Sequence, residues 1–164
     1  YDPCPDLMGT PSDIHLRPAE IDDVDVLTDV SIRAKKSNGY DDAFMAACRD
    51  ELTVTVAHLC QDEYWVACEG DLIIGCASLS PDKDQSSGKV HSFFIDPDHQ
   101  GRGVGRMLWA KLLECAHAYG MTEVRLDVDP NAAPFYEAMG FKVAGVAPSG
   151  SIPGRRIPHM TLTL

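Results

Sequence analysis

Hydrophobic positions divide this chain into short segments whose period switches repeatedly between two and about 3.6. Ile14 and Leu16 alternate with His15 and Arg17 before Pro18, which predicts a first strand. Ile21, Val24, Leu27, Val30 and Ala34 then recur at helical spacing, with Asp22 and Asp23 where the helix dipole favours acids. Ser37-Asn38-Gly39-Tyr40 ends that helix. A second helical stretch is predicted over 42–59, and its Thr53-Val54-Thr55-Val56 segment favours strand and marks a break. Residues 64–68 and 72–79 read as strands joined by Glu69-Gly70-Asp71, a compact hairpin signal. A polar loop over 81–88 leads to a strand at 90–95. Val104, Leu108, Leu112, Cys115 and Tyr119 then carry a helix that Gly120 stops. A strand at 124–128, a short helix at 132–139 and strands at 141–146 and 159–164 complete the chain. This order implies an α/β layered fold with a mixed sheet. The irregular segment 148–156 is the one long loop inside it, and such loops often carry function.

Chemistry concentrates in Gln100-Gly101-Arg102-Gly103-Val104-Gly105-Arg106, which joins the strand at 90–95 directly to a helix. The first N–H groups of a helix lack intrahelical partners and sit at the positive end of its dipole, so they attract anions. The three glycines permit unusual dihedrals and close approach of a ligand to the backbone, and Arg102 and Arg106 add positive charge. Spacing separates the phosphate-binding readings. A Walker-type loop requires Lys followed by Ser or Thr where Arg106-Met107 stands, and it fails. A dinucleotide fingerprint requires G-x-G-x-x-G; Asp127 could supply its acid, but these glycines run G-x-G-x-G.

The remaining pattern, Q-x-x-G-x-G after Asp96-Pro97, resembles the pyrophosphate loop of the GNAT superfamily of acyl-CoA N-acyltransferases. Downstream, the run from Asp129-Pro130-Asn131 through Phe135-Tyr136 to Gly140-Phe141 is similar to the superfamily's second signature. The resemblance spans roughly residues 13 to 164 and is to single-domain bacterial members. It implies a mixed, largely antiparallel central sheet of about seven strands flanked by about four helices, as one N-acetyltransferase domain over 13–164. Residues 1–12, which precede and surround Met8, read as a vector-derived or extended leader.

The resemblance also implies roles. Gln100, Gly101, Arg102, Gly103, Val104, Gly105 and Arg106 would hold the pyrophosphate of coenzyme A, chiefly through main-chain N–H groups from Arg102 to Arg106. The main chain of Phe93, Phe94 and Ile95 would face the pantetheine arm where the central strand splays from its neighbour. Asn131 would contact that arm, with Phe135 beside it. Asn131 precedes Tyr136 by five residues where the superfamily usually has seven; Asp129 stands at the seven-residue position but also reads as a helix cap ahead of Pro130. Tyr136 would protonate the departing thiolate, as a phenol with a pKa near 10 can. His91 stands where many members have a glutamate base on the central strand, and a histidine there is either that base or a partly buried, hydrogen-bonded side chain. Alternation groups His91 with Phe93 and Ile95, opposite Val90, Ser92 and Phe94. Asn38, Tyr40, Phe44, Ser149 and Ser151 are candidates for the acceptor pocket or are turn residues.

Composition changes this picture little. The 164 residues carry 14 basic and 25 acidic side chains, a formal net charge of −11 that disfavours nucleic acid and anionic membrane and suits a cationic amine. Six cysteines show no C-x-x-C pair or zinc-ligand spacing, so reduced thiols in a cytoplasmic protein and no metal are expected. No run of about 18 apolar residues occurs. The resulting expectation is acetyl transfer from acetyl-CoA to a small primary amine in a ternary complex, in a protein that forms a homodimer if the superfamily's habit holds. A CoA-binding sensor, a protein or peptide acetyltransferase, and a nucleotide-binding protein or oxidoreductase stand as the other readings.

Overall fold

A computed structural model describes residues 14–164, so the expectation for 1–12 lies outside the described residues. Seven strands form one sheet in the order β1-β2-β3-β4-β5-β7-β6. They are β1 (Ile14–Pro18), β2 (Glu63–Glu69), β3 (Leu72–Pro81), β4 (Ser87–Ile95), β5 (Glu123–Asp127), β6 (Lys142–Pro148) and β7 (Arg156–Thr163). Five helices accompany them: α1 (Val24–Lys36), α2 (Asp42–Leu52), α3 (Val56–Gln61), α4 (Val104–Tyr119) and α5 (Ala133–Ala138).

The predicted elements are present with changes at their ends. The expected break near Thr53 divides 42–59 into α2 and α3, and Thr55 caps α3 by accepting from the His58 N–H. The expected loop over 81–88 shrinks to a turn, because β3 runs on to Pro81 and β4 starts at Ser87. Short 3-10 turns at Pro97–His99 and Pro130–Ala132 were not expected; in each, an aspartate ahead of proline accepts a main-chain N–H two residues on.

Apolar side chains cover both faces of the sheet. Leu108, Leu112 and Ala116 of α4 pack with Ile74, Ala77, Leu79 and Val90 on one face. Leu27 and Val30 of α1 pack with Tyr64, Val66, Ile73 and Cys76 on the other. Of the cysteines described, Cys48, Cys68, Cys76 and Cys115 are buried, Cys60 is exposed, and none forms a disulfide. Burial pushes the Cys76 thiol up to about 12 and the Cys115 thiol up to about 11.

Every neighbouring pair of strands is antiparallel except β4 and β5. These two pair in parallel only at Ser87↔Glu123, Gly88↔Val124 and Lys89↔Arg125. Beyond Lys89 they part: β4 stays on β3, with Ile95 opposite Gly75, while β5 stays on β7, with Asp127 opposite His159. Polar main-chain groups along 90–95 that a neighbouring strand would engage therefore face an opening. The splay implied by the resemblance is present.

One expectation about β4 is corrected. Leu79 pairs with Val90 and Ala77 with Phe93, so His91 and Ser92 together oppose Ser78. This is a bulge, held by the Ser92 N–H donating to Ser78 Oγ at 3.0 Å. The extra residue breaks the alternation: Val90, Phe93 and Ile95 all belong to the α4-side core, whereas Phe94 packs on the α1 side. His91 is thereby separated from the face it was grouped with.

The start of α4 is seated on β3 at Gly75. A Cβ added there would stand 3.1 Å from Val104 Cγ1 and 3.2 Å from both Ile95 Cδ1 and Leu108 Cδ1. Gly75→Val is expected to destabilise the fold by about 1–3 kcal/mol through overpacking. Urea unfolding checks this, as a lower midpoint at unchanged slope.

Candidate functional site

The helix that follows the glycine run opens without a side-chain cap. Its N-cap is Gly103, at φ +81°, and Gly101 also has positive φ, +78°, where a side chain would strain the backbone. The first intrahelical bond runs from the Met107 N–H to the Gly103 carbonyl, so the N–H groups of Val104, Gly105 and Arg106 have no partner within the helix. No acidic residue occupies the first turn. The helix therefore presents three aligned donors at its positive end.

These donors open on a cavity of about 1050 Å³. Gln100, Gly101, Gly103, Val104, Gly105 and Arg106 line one end of it. Arg102 does not belong to this lining: its guanidinium pairs with Glu69 at the end of β2. The two arginines expected to flank the loop thus behave differently, because Glu69 neutralises one of them.

Phe93, Phe94 and Ile95 line the middle of the cavity, along the edge of β4 that β5 has left. Aromatic rings hold that opening. Phe93 lies 5.6 Å from Phe135 and 5.8 Å from Tyr136, centroid to centroid, and Phe135 and Tyr136 meet edge-on at 5.2 Å. Phe135 also covers α4, since a Cβ on Gly105 would stand 3.2 Å from its ring. Tyr136 is only 5% exposed yet lines the cavity. Burial alone raises its phenol pKa, so the group stays protonated at neutral pH.

His91 lines the far part of the cavity with its side chain exposed to it. Partial desolvation pushes its imidazole below the ordinary 6.5; the nearby Asp62 carboxylate opposes the shift, and Lys89 and His58 add to it. Lys89 and Asp127 line the same region, joined at 3.1 Å, and His159 Nδ1–H donates to the second Asp127 oxygen at 2.6 Å. Sequence reasoning missed this group. The signal was present, since Asp127 alternates with Leu126 and must face away from the α4-side core that buries it.

The acceptor candidates fall into two sets. Asn38 lines the cavity. Tyr40, Phe44, Ser149 and Ser151 do not; they brace the elements around it. Tyr40 and Phe44 stack at 3.9 Å beneath the Arg155 guanidinium. Ser149 Oγ accepts the N–H groups of Ser151 and Ile152, and Ser151 Oγ donates to Glu51 Oε1 at 2.9 Å. Their hydroxyls are engaged in shaping the β6–β7 loop and tying it to α2, and the lining there comes from Pro148 and Gly150 instead.

Asn131 lines the cavity beside Asp129, and Asp129 does more than cap its turn. Its carboxylate accepts from Lys35 Nζ at 2.7 Å and Tyr40 O–H at 2.7 Å, and from the main chain and side chain of Asn131, each at 2.9 Å. Burial alone would raise this carboxyl pKa; the hydrogen bonds from Lys35 and Tyr40 outweigh it and hold the group far below the usual carboxylate range. No sequence signal announces these contacts, because Lys35 and Tyr40 lie 94 and 89 positions away.

Comparison with known proteins places this arrangement. The acetyltransferase (GNAT) domain family matches residues 60–143, slightly more than half of the chain. Human N-acetyltransferase 8 is 27% identical over 110 residues, covering 62% of this chain and 48% of that protein. Glucosamine 6-phosphate N-acetyltransferase of Trypanosoma brucei brucei is 32% identical over 75 residues, covering 43% of this chain and 51% of that protein. The chain thus spans about half the length of these relatives. Among solved structures, the PaiA N-acetyltransferase of Thermoplasma acidophilum in complex with coenzyme A superposes with a TM-score of 0.78 at 18% identity, over 93% of this chain and all of that one. A GCN5-related N-acetyltransferase from Rhodopseudomonas palustris superposes with a TM-score of 0.77 at 24% identity, over 96% and 99% of the two chains. With a mixed seven-stranded sheet, an uncapped glycine-led helix and a parted central strand pair, the chain belongs to the GNAT acetyltransferase family.

Proposed function

We propose that this chain is an N-acetyltransferase that moves an acetyl group from acetyl-CoA to the primary amine of a small molecule, by direct attack in a ternary complex. The observation that carries the reading is the single cavity joining the open N–H groups of α4, the unpaired edge of β4, Tyr136 and His91. The bound coenzyme A of the Thermoplasma protein supports coenzyme A as the ligand of the glycine loop. The main chain of Val104, Gly105 and Arg106, with the Arg106 side chain, suits a pyrophosphate. The edge at Phe93, Phe94 and Ile95 offers polar main-chain groups to the amides of the pantetheine arm, beside Asn131 and Phe135. Both ends of the ligand thus find chemistry of the right polarity.

In this reading the amine nitrogen attacks the thioester carbonyl, the C–S bond breaks, and Tyr136 gives its proton to the departing sulfur. A main-chain N–H of β4 polarises the carbonyl oxygen. His91 takes the proton that the attacking nitrogen must lose, and its lowered pKa keeps it neutral and able to accept at pH 7. The β6–β7 loop, tied to α2 through Ser151 and Glu51, stands beside the acceptor end in this reading, with Pro148 and Gly150 in the cavity lining. The unpaired thiols described above support a reducing compartment such as the cytoplasm.

Calorimetric titration with acetyl-CoA tests the cofactor. Saturable binding is expected in the unaltered chain. Gly103→Val forces a branched side chain into φ +81°, which strains the turn that presents the donors, and should weaken binding by about tenfold or more, equivalent to about 1.4 kcal/mol. Equal affinity in the two proteins would remove the loop from the site.

Tyr136→Phe and His91→Ala should each lower kcat by about 10²-fold, in the range of general acid–base effects. With the base protonated at low pH, the rate of the unaltered enzyme should rise with pH through an ionisation below 6.5, and His91→Ala should abolish that rise. A pH–rate profile measured with acetyl-CoA and a panel of amines reads both effects. An unchanged profile in His91→Ala would exclude it as the base.

A further inference from the structure

Asn131 is an amide whose two ends have opposite hydrogen-bonding character, and its neighbours leave it one orientation. Its NH₂ donates to Asp129 Oδ1 at 2.9 Å and to Tyr40 Oη at 3.3 Å. An ionised carboxylate accepts only, so the NH₂ end must face Asp129 and the carbonyl oxygen must face the other way. The carbonyl is then the end that Asn131 presents to a ligand in the cavity it lines. A group that accepts there complements a secondary-amide N–H, such as those of a pantetheine arm.

Asp129 is held in turn by residues from segments distant in sequence. Lys35 reaches it from α1 and Tyr40 from the α1–α2 connection. Arg155, at the end of the β6–β7 loop, lies 3.7 Å from Asp129 Oδ2 and donates to Tyr40 Oη at 2.8 Å. The Tyr40 hydroxyl therefore gives its one proton to Asp129 and accepts from Arg155 and Asn131. The side chain of Asp129 is only 10% exposed, so water does not readily replace Lys35 and Tyr40 on it. A single carboxylate ties three segments around the acceptor end of the cavity to the residue that faces the cofactor arm.

We propose that Asp129 is a positioning residue that fixes the amide of Asn131 with its carbonyl toward the cofactor arm, and that Tyr40 and Arg155 couple the acceptor-side loops to this contact. The inference rests on the acetyl-CoA reading above. It assigns the polarity of one contact and a residue that controls it without touching the reacting atoms.

Asp129→Asn tests it, because an amide at 129 can donate as well as accept and no longer dictates which end of Asn131 faces it. The probes are acetyl-CoA and adenosine 3′,5′-bisphosphate, the nucleotide part of coenzyme A without the arm, each titrated by calorimetry. Asp129→Asn should weaken acetyl-CoA binding by about tenfold, the worth of roughly one lost hydrogen bond, and leave the bisphosphate unchanged. Tyr40→Phe, which keeps the carboxylate but removes one acceptor from Asn131, should give a smaller loss in the same direction, and it carries the test if Asp129→Asn does not fold. Equal losses for both ligands would mark Asp129 as merely structural and overturn the proposal, as would unchanged affinity for acetyl-CoA in both variants. If the unaltered chain bound the bisphosphate but not acetyl-CoA, the acetyl-transfer reading itself would fall, and this inference with it.

Discussion

The site depends on a sheet that is left incomplete. Strand pairing is cooperative, and a parallel pair that has formed three registers would ordinarily continue. Here β4 and β5 stop at Lys89 and Arg125 and follow different partners outward. Each strand stays paired on its outer side, β4 through the bulge at His91-Ser92, so the opening exposes one edge of each and unravels neither. Phe93, Phe135 and Tyr136 fill the α4 side of the gap with rings too large for strands to close around. Main-chain polar groups inside a protein need partners. An edge held open in this way is a standing demand for a ligand with amides of its own.

Much of this was legible in the residue pattern, for identifiable reasons. The left-handed conformations at Gly101, Gly103 and Gly120 are local requirements, and local requirements leave glycines in the sequence. The helix between them repeats Val104, Leu108 and Leu112 because it rests on one face of the sheet. The opening between β4 and β5 has no such mark: residues 90–95 read as an ordinary strand, and only resemblance to a family pointed to the gap. The bulge at His91-Ser92 was invisible because it is decided across the ladder by Ser78, whose hydroxyl takes the N–H of Ser92. Asp129 was read as a cap, which it is, but its remaining partners come from distant segments that only the folded chain assembles.

Charge is distributed by the same logic. A chain of net charge −11 places the candidate phosphate site among many carboxylates. The cations around the cavity are mostly committed: Lys89 to Asp127, Lys35 to Asp129, Arg102 to Glu69. These pairs add little attraction for an anion at long range. The main-chain donors of α4 are not neutralised in this way, because no carboxylate shares their turn. Dipole and geometry, rather than net charge, thus distinguish the anion end of the cavity from the rest of an acidic surface.

The buried cysteines bear on how the proposed acetyl transfer can be followed. Acetyl transfer from a thioester liberates a thiol, and thiol-reactive dyes attack thiolates. Cys68, Cys76 and Cys115 are sequestered in the core, where burial holds their protons on, and Cys48, on the inner face of α2, is enclosed with Met45 and Leu52. Among the described residues Cys60 alone is exposed. In a colorimetric reading of released coenzyme A, the four buried thiols would therefore add nothing for as long as the core stays closed, and their appearance in the signal would itself report unfolding.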